Sequence, residues 1–201
     1  MAYASWVSPN KTQGNGNDTV AWTGQAHTGR SARQTTATFA ASGVEDKILT
    51  IIQAGKSEFV EMDDTAAVSK DGGTLTISGV SNSPKLTFAL TGTNGIGLVL
   101  PSVYIANSVN TNNGANISGD PGAVQQYAFS ITFTNIPANA ATSVKTSQLT
   151  VTTNNGQTDT CSVTQAAGEA YLTIDPTTIN LTAAGTAVNV SVTSNTSWTI
   201  S

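Results

Sequence analysis

Runs in which apolar and polar residues alternate with a period of two recur along the chain. The clearest runs are residues 36–39, 48–52, 75–77, 127–133, 148–151 and 188–192. Because successive side chains of a β-strand point to opposite faces, this alternation predicts strands with one buried face. Turn-forming pairs such as Asn94-Gly95 and Asn155-Gly156 lie between the runs. Helical spacing is nearly absent, and many short strands separated by turns are typical of a β-sandwich.

The chain also contains an internal repeat with a spacing of 112 residues. Four pairs of similar residues share this spacing: Gln53 and Gln165, Phe59 and Tyr171, Asp63 and Asp175, and Gly73 and Gly185. The repeat divides the chain into a back portion of one domain (residues 1–55, the head), a complete domain (57–168, the middle repeat) and a front portion (171–201, the tail). We therefore predict an all-β protein of tandem β-sandwiches, with one complete domain and two complementary partial domains.

The terminal segments carry motifs of a known family. In the tail these are residues 171–176 (YLTIDP), 183–186 (AAGT) and 188–200 (VNVSVTSNTSWTI), and in the head residues 4–9 (ASWVSP) and 51–55 (IIQAG). The tail resembles the opening of a BACON domain, and the head resembles the closing portion of the same module. The middle repeat is similar only loosely. The resemblance implies an immunoglobulin-like fold and a module named for carbohydrate binding in Bacteroidetes.

BACON-like modules also occur in virion proteins of crAss-like phages of Bacteroides. The N-terminus MAYASWVSPN has no basic region and no apolar core, so it is not a signal peptide. Either a signal was removed or the protein does not use the secretory route, and a virion protein assembled in the host cytoplasm needs none. We expect an auxiliary (decoration) capsid protein in contact with other copies of itself and with the major capsid protein. The alternative is a carbohydrate-binding or adhesion module on a phage or bacterial surface.

Head and tail are complementary parts of one module, and each is too small to bury its apolar residues alone. The residues expected at the interface between them are Trp6, Val7, Leu172, Ile174, Leu181, Val188, Val190, Val192, Trp198 and Ile200. Strand addition would cover these residues. Three arrangements remain open: exchange between neighbouring chains in a ring, lattice or fibre, pairing of head and tail within one chain, or a fragment of a longer tandem array.

Composition argues against several function classes. Only 10% of the residues are charged, the net charge is −4, and the eight basic residues are scattered, so we expect no nucleic-acid surface. No apolar run is long enough for a membrane span. His27 and Cys161 are the only residues of their types, and we predict a loop histidine and a strand filler. We expect no catalytic site, cofactor or metal, and the acidic group Glu61, Asp63 and Asp64 is a weak candidate for calcium.

Glycan binding would need exposed aromatic rings. Tyr104 and Trp22 are the candidates, because Tyr104 lies in an irregular stretch and is expected to be exposed. Trp6 and Trp198 are expected to fill the core shared by head and tail. The aromatic residues of the run 127–133 fall on one face of a strand and are expected in the core.

Overall fold

A computed structural model describes residues 3–201, so the first two residues of the head lie outside the described range. Residues 3–201 form fifteen strands and one short 3-10 turn, Pro121–Ala123. The strands are β1 (Val7–Pro9), β2 (Trp22–Gly24), β3 (Arg33–Phe39), β4 (Lys47–Gln53), β5 (Val60–Met62), β6 (Thr65–Val68), β7 (Gly73–Ser81), β8 (Leu86–Thr91), β9 (Val103–Ala106), β10 (Val109–Asn112), β11 (Tyr127–Ile136), β12 (Lys145–Thr153), β13 (Thr158–Gln165), β14 (Leu172–Asp175) and β15 (Ser191–Ser194). The predicted all-β fold class is confirmed.

Strands β5 to β13 form a β-sandwich of two facing sheets. The five-stranded sheet has the order β10-β9-β11-β7-β5, and the four-stranded sheet has the order β6-β13-β12-β8. All neighbours are antiparallel except β6 and β13, which run parallel. Both sheets consist of strands from the middle repeat. They pack face to face, so each covers the apolar face of the other.

The main hydrophobic core lies between these two sheets and is drawn from residues 60–163. Its centre is β11, where Tyr127, Phe129, Ile131 and Phe133 are each no more than 3% exposed. The prediction that these aromatic residues lie in the core is therefore confirmed. Cys161 on β13 is fully buried, as expected for a strand filler. Burial raises the pKa of its thiol to about 11.

The head and the tail form small separate sheets. Strand β1 pairs with β2, β3 with β4, and β14 with β15, all antiparallel. Among the described residues of the head, only Val7 and Ala37 are buried apolar residues. The strand predicted at 188–192 is only partly correct, because β15 begins at Ser191. Residues 188–190 have no strand partner among the described residues. Alternation of apolar and polar residues is therefore not enough to make them part of a sheet, which also requires a neighbouring strand.

Head and tail lie at opposite ends of the sandwich. At the Ser81 end of β7, the head backbone reaches the middle repeat, with the amide of Arg30 donating to the carbonyl of Gly122 over 2.8 Å. At the Gly73 end, Tyr171 and Asn195 of the tail lie beside the loop around Lys70. Strand β7 has nine residues, so these ends are about 27 Å apart at roughly 3.4 Å per residue.

Candidate strand-exchange site

The tail exposes most of its apolar side chains. Those with exposed fractions between 38% and 88% are Tyr171, Leu172, Ile174, Ile179, Leu181, Val188, Val190, Trp198 and Ile200. Val192 is half-buried. Only the four residue pairs of β14 and β15 hold the segment together as a sheet. Complete burial of an exposed apolar side chain is worth roughly 1.5–3 kcal/mol. These side chains are partly exposed and would each gain part of that amount from a cover.

The head contains a cavity of about 820 Å³ bounded by its two hairpins. Trp22 lines one side and Phe39 and Val44 line the other, and the last two are 46% and 68% exposed. Within residues 3–201, the strands β3 and β4 pair only with each other. Both outer edges of this hairpin therefore present unpaired backbone groups, which is the usual template for strand addition.

The hairpin β3–β4 has the same register as β12–β13. Arg33 faces Gln53 in the head, and Lys145 faces Gln165 in the middle repeat, with both partners shifted by 112 positions. In the middle repeat, this hairpin lies between two further strands, with β6 beside β13 and β8 beside β12. The head contains the hairpin without these two neighbours.

The Nε2 groups of the two equivalent glutamines differ by one hydrogen bond. In the middle repeat, Nε2 of Gln165 donates to the carbonyls of Pro137 (2.8 Å) and Ser69 (3.3 Å), and the side chain is fully buried. In the head, Nε2 of Gln53 donates to the carbonyl of Gln25 over 2.9 Å, which is the equivalent of the bond to Pro137. Ser69 directly follows β6. The described part of the head contains no strand equivalent to β6, so Gln53 has no acceptor equivalent to Ser69.

The tail is docked on the middle repeat in the same way as the middle repeat is docked on the head. Asn82 and Asn195 are the central residues of the two junctions. Oδ1 of Asn82 accepts from the amide of Phe59 over 2.9 Å, and Oδ1 of Asn195 accepts from the amide of Tyr171 over 3.0 Å. The corresponding Nδ2 bonds go to Thr28 and Ser57 from Asn82, and to Ala140 and Glu169 from Asn195.

Two further hydrogen bonds recur at both junctions. Oγ of Ser81 donates to the carbonyl of Phe59, and Oγ of Ser194 donates to the carbonyl of Tyr171. The backbone bond from Lys56 to Gly29 recurs as the bond from Gly168 to Ala141. These recurring bonds orient the tail on the middle repeat as they orient the middle repeat on the head, where Arg30 and Ser31 add bonds to Gly122 and Ala123.

The junction bonds also correct one detail of the predicted repeat. The amide of Gly185 donates to the carbonyl of Thr182, and its equivalent is the bond from Gly72 to Ser69. Gly72 and Gly185 also share a positive φ, 74° and 72°. The match of Gly185 with Gly73 is therefore wrong by one residue. The tail has one additional residue between Ile174 and Thr182, so the spacing is 112 before this point and 113 after it.

The predicted head residues are only partly available for an interface. The Arg33 guanidinium lies 4.5 Å from the ring centre of Trp6, which is half-buried beneath it. Val7 is only 4% exposed and is already covered within the head, so it is not part of the exposed surface. Trp22 is half-buried, and its ring meets the edge of Tyr3 at a centroid distance of 5.2 Å.

The prediction that Tyr104 is exposed is wrong, because its side chain is only 2% exposed and packs on Phe88. Its neighbours Val103 and Ile105 point outward, with 39% and 43% exposure. Because both faces of β9 carry apolar residues, alternation could not identify the buried face. Burial raises the pKa of Tyr104 to about 12. Tyr104 is therefore a core residue and not a glycan contact.

The remaining candidate residues have structural contacts. Nε2 of His27 lies 2.8 Å from the carbonyl of Ser31 within one loop. Oδ2 of Asp63 accepts from the amide of Ser78 over 2.8 Å. Among residues 3–201, no three His, Cys, Asp or Glu side chains are grouped so as to hold a metal ion. The described part of the chain also contains no helix with the length and apolar character needed to cross a bilayer.

No protein-family model matches the chain, and no curated protein matches it.

Proposed function

We propose that the protein is a structural protein whose copies join head to tail, with the tail of one copy completing the head of the next. The observation that carries the proposal is the exposed apolar surface of the tail. The equivalent positions of the middle repeat are buried. The matched pairs are Leu172 with Val60, Ile174 with Met62, Leu181 with Val68, Val188 with Leu75, and Val190 with Ile77.

The head lacks the strands that the tail of another copy could supply. Its hairpin β3–β4 lacks the two neighbours that β12–β13 has, and a cavity of about 820 Å³ lies between its hairpins. Trp198 follows Ser194 at nearly the spacing that separates Leu86, the first residue of β8, from Ser81. Trp198 and Ile200 would therefore continue along the free edge of β3 and fill this cavity.

The separation of head and tail favours exchange between copies over pairing within one chain. They bind to opposite ends of β7, about 27 Å apart at roughly 3.4 Å per residue. Each is held at its end by an asparagine-centred set of bonds that recurs at both junctions, and the head makes further bonds such as that from the Arg30 amide to the Gly122 carbonyl. Pairing within one chain would have to break one of these junctions, whereas exchange between chains preserves both.

For the biological setting, we propose an auxiliary (decoration) protein of a virion capsid. The resemblance of head and tail to BACON-type modules, which occur in phage virion proteins, supports this setting. Strand exchange would tie neighbouring copies together on the capsid, where the major capsid protein is the expected second partner. Immunogold labelling of purified virions with an antibody to this chain tests the location, and absence of label from intact capsids would refute it.

Deletion of residues 171–201 tests the exchange itself. The full chain should form oligomers that grow with concentration in sedimentation velocity, and the truncated chain should not. A chain without residues 1–55 mixed with a chain without residues 171–201 should give a one-to-one complex. The proposal is wrong if the full chain remains a monomer at all concentrations, or if the tail deletion assembles as the full chain does.

A carbohydrate-binding or adhesion module is the second candidate, and the position of Trp22 in the wall of the head cavity favours it. Exposed aromatic rings are the usual platform for a sugar ring. Glycan-array binding that is lost in Trp22→Ala, and retained in the tail deletion, would support this candidate. Because the tail would occupy the same cavity, strand exchange and glycan binding should compete.

A further inference from the structure

We infer the register in which the tail enters the head of the next copy, an inference that rests on the head-to-tail exchange proposed above. The stretch 178–181 of one copy adds as a parallel strand along β4 of another copy. In this register Ile179 lies opposite Ile51, and Leu181 lies opposite Gln53. One side chain of the head forms a hydrogen bond that is specific to this register. It is Gln53, whose Nε2 group donates to the carbonyl of Thr182 of the incoming tail.

The template for this register is the pair β6 and β13 of the middle repeat. There Val163 pairs with Ala66, and Gln165 pairs with Val68. Residues of β4 correspond to those of β13 at a spacing of 112, as the identical hairpin register requires. From Thr182 onward the tail corresponds to the middle repeat at a spacing of 113, as the equivalence of Gly72 and Gly185 requires, and we extend this spacing back to residues 178–181. These two spacings leave one register.

The apolar pattern of the tail supports the same register independently. Ala66 and Val68 are the residues of β6 that turn toward the core. Their counterparts at a spacing of 113 are Ile179 and Leu181, which are 40% and 63% exposed in the free tail. A spacing of 112 would instead turn Thr178 and Asn180 inward and leave both apolar residues in water. A one-residue slip moves the whole apolar set to the wrong face, so the register is strongly specified.

The amide of Gln53 adds a polar contact that only this register satisfies. Its counterpart Gln165 donates from Nε2 to the carbonyl of Ser69, the residue that follows β6. Ser69 corresponds to Thr182, because the carbonyls of both accept the glycine turn bond described above. Gln53 is held in place by the Arg33 Nε group, which donates to Oε1 over 2.9 Å. The head thus keeps a fixed donor for the arriving strand.

An engineered disulfide tests this register in the full chain. Ile52 corresponds to Thr164 and Asn180 to Ala67, a directly paired and exposed couple of the middle repeat. We expect I52C with N180C to form intermolecular disulfides and to give a ladder of bands on a non-reducing gel. The matched control, I52C with T178C, is on the same face but two residues away. Its Cα atoms would be about 8 Å apart, beyond the reach of a disulfide.

The outcomes separate the register from the exchange itself. A ladder with N180C and none with T178C supports the inferred register. A ladder with T178C, or none with either pair, overturns the register if the parent chain still assembles in sedimentation velocity. Loss of assembly in the parent chain refutes head-to-tail exchange instead. Chains with only one introduced cysteine control for Cys161, which is fully buried and expected to stay reduced.

Discussion

Replacement of Leu181 by alanine should weaken the contact between copies without changing the stability of a single copy. In the free chain this side chain is 63% exposed, so its truncation removes little buried surface and should leave thermal unfolding of the monomer unchanged. In the proposed assembly, Leu181 takes the place of Val68, which is 6% exposed. Removal of a leucine side chain from such a position costs about 2–3 kcal/mol.

This cost should weaken each head-to-tail contact roughly 30- to 150-fold, since each 1.4 kcal/mol is a factor of ten in affinity. Sedimentation velocity over a range of concentrations measures the shift. The control is Ile48→Ala in β4, because Ile48 is 71% exposed and its counterpart Thr160 faces solvent. We expect this control to assemble like the parent. Unchanged assembly of Leu181→Ala, or equal weakening in both variants, would refute the reasoning.

Three further predictions concern the junctions and the core. Asn82→Ala should destabilise the junction of head and middle repeat by about 1–3 kcal/mol, because it leaves partly buried partners of its amide unpaired. Asn195→Ala should leave thermal unfolding unchanged and reduce assembly. Gly29→Ala should speed amide exchange in the loop 28–31 without unfolding the sandwich, because the new Cβ would clash with the Val124 carbonyl group. Stability should fall above pH 10, by about 1.4 kcal/mol per pH unit for Tyr104, because the unfolded phenol ionises near 10 and the folded one has a pKa of about 12. Urea titrations at pH 9 to 11.5 check this, and Tyr104→Phe should make the fall shallower without removing it, because burial also raises the pKa of Tyr127 and of Cys161.

Sequence patterns predicted the strands that have one polar face. The runs at 36–39, 48–52, 127–133 and 148–151 all lie within strands, and the aromatic residues of β11 are in the core as expected. The prediction failed at Tyr104, where both faces of the strand are apolar. Alternation identifies which residues share a face, but the opposing sheet decides which face is covered.

The candidate site was visible in sequence mainly as a repeat. The spacing of Gln53 and Gln165 located the two equivalent hairpins, and the apolar residues of the tail were identified as a surface that needs a partner. Val7 was assigned to the same interface, although the head covers it internally. The junction asparagines Asn82 and Asn195 were missed, since a single asparagine in a turn-rich chain gives no signal of its own.

The sequence by itself determined the all-β character, the 112-residue repeat and the apolar content of the terminal segments, because these depend on local order along the chain. The tertiary structure decided the parallel pairing of β6 with β13, the opposite positions of head and tail, and the additional residue that shifts Gly185 into line with Gly72. These features depend on hydrogen bonds between residues far apart in sequence. A pattern of alternation can fix the face of a strand, but only a partner strand fixes its register.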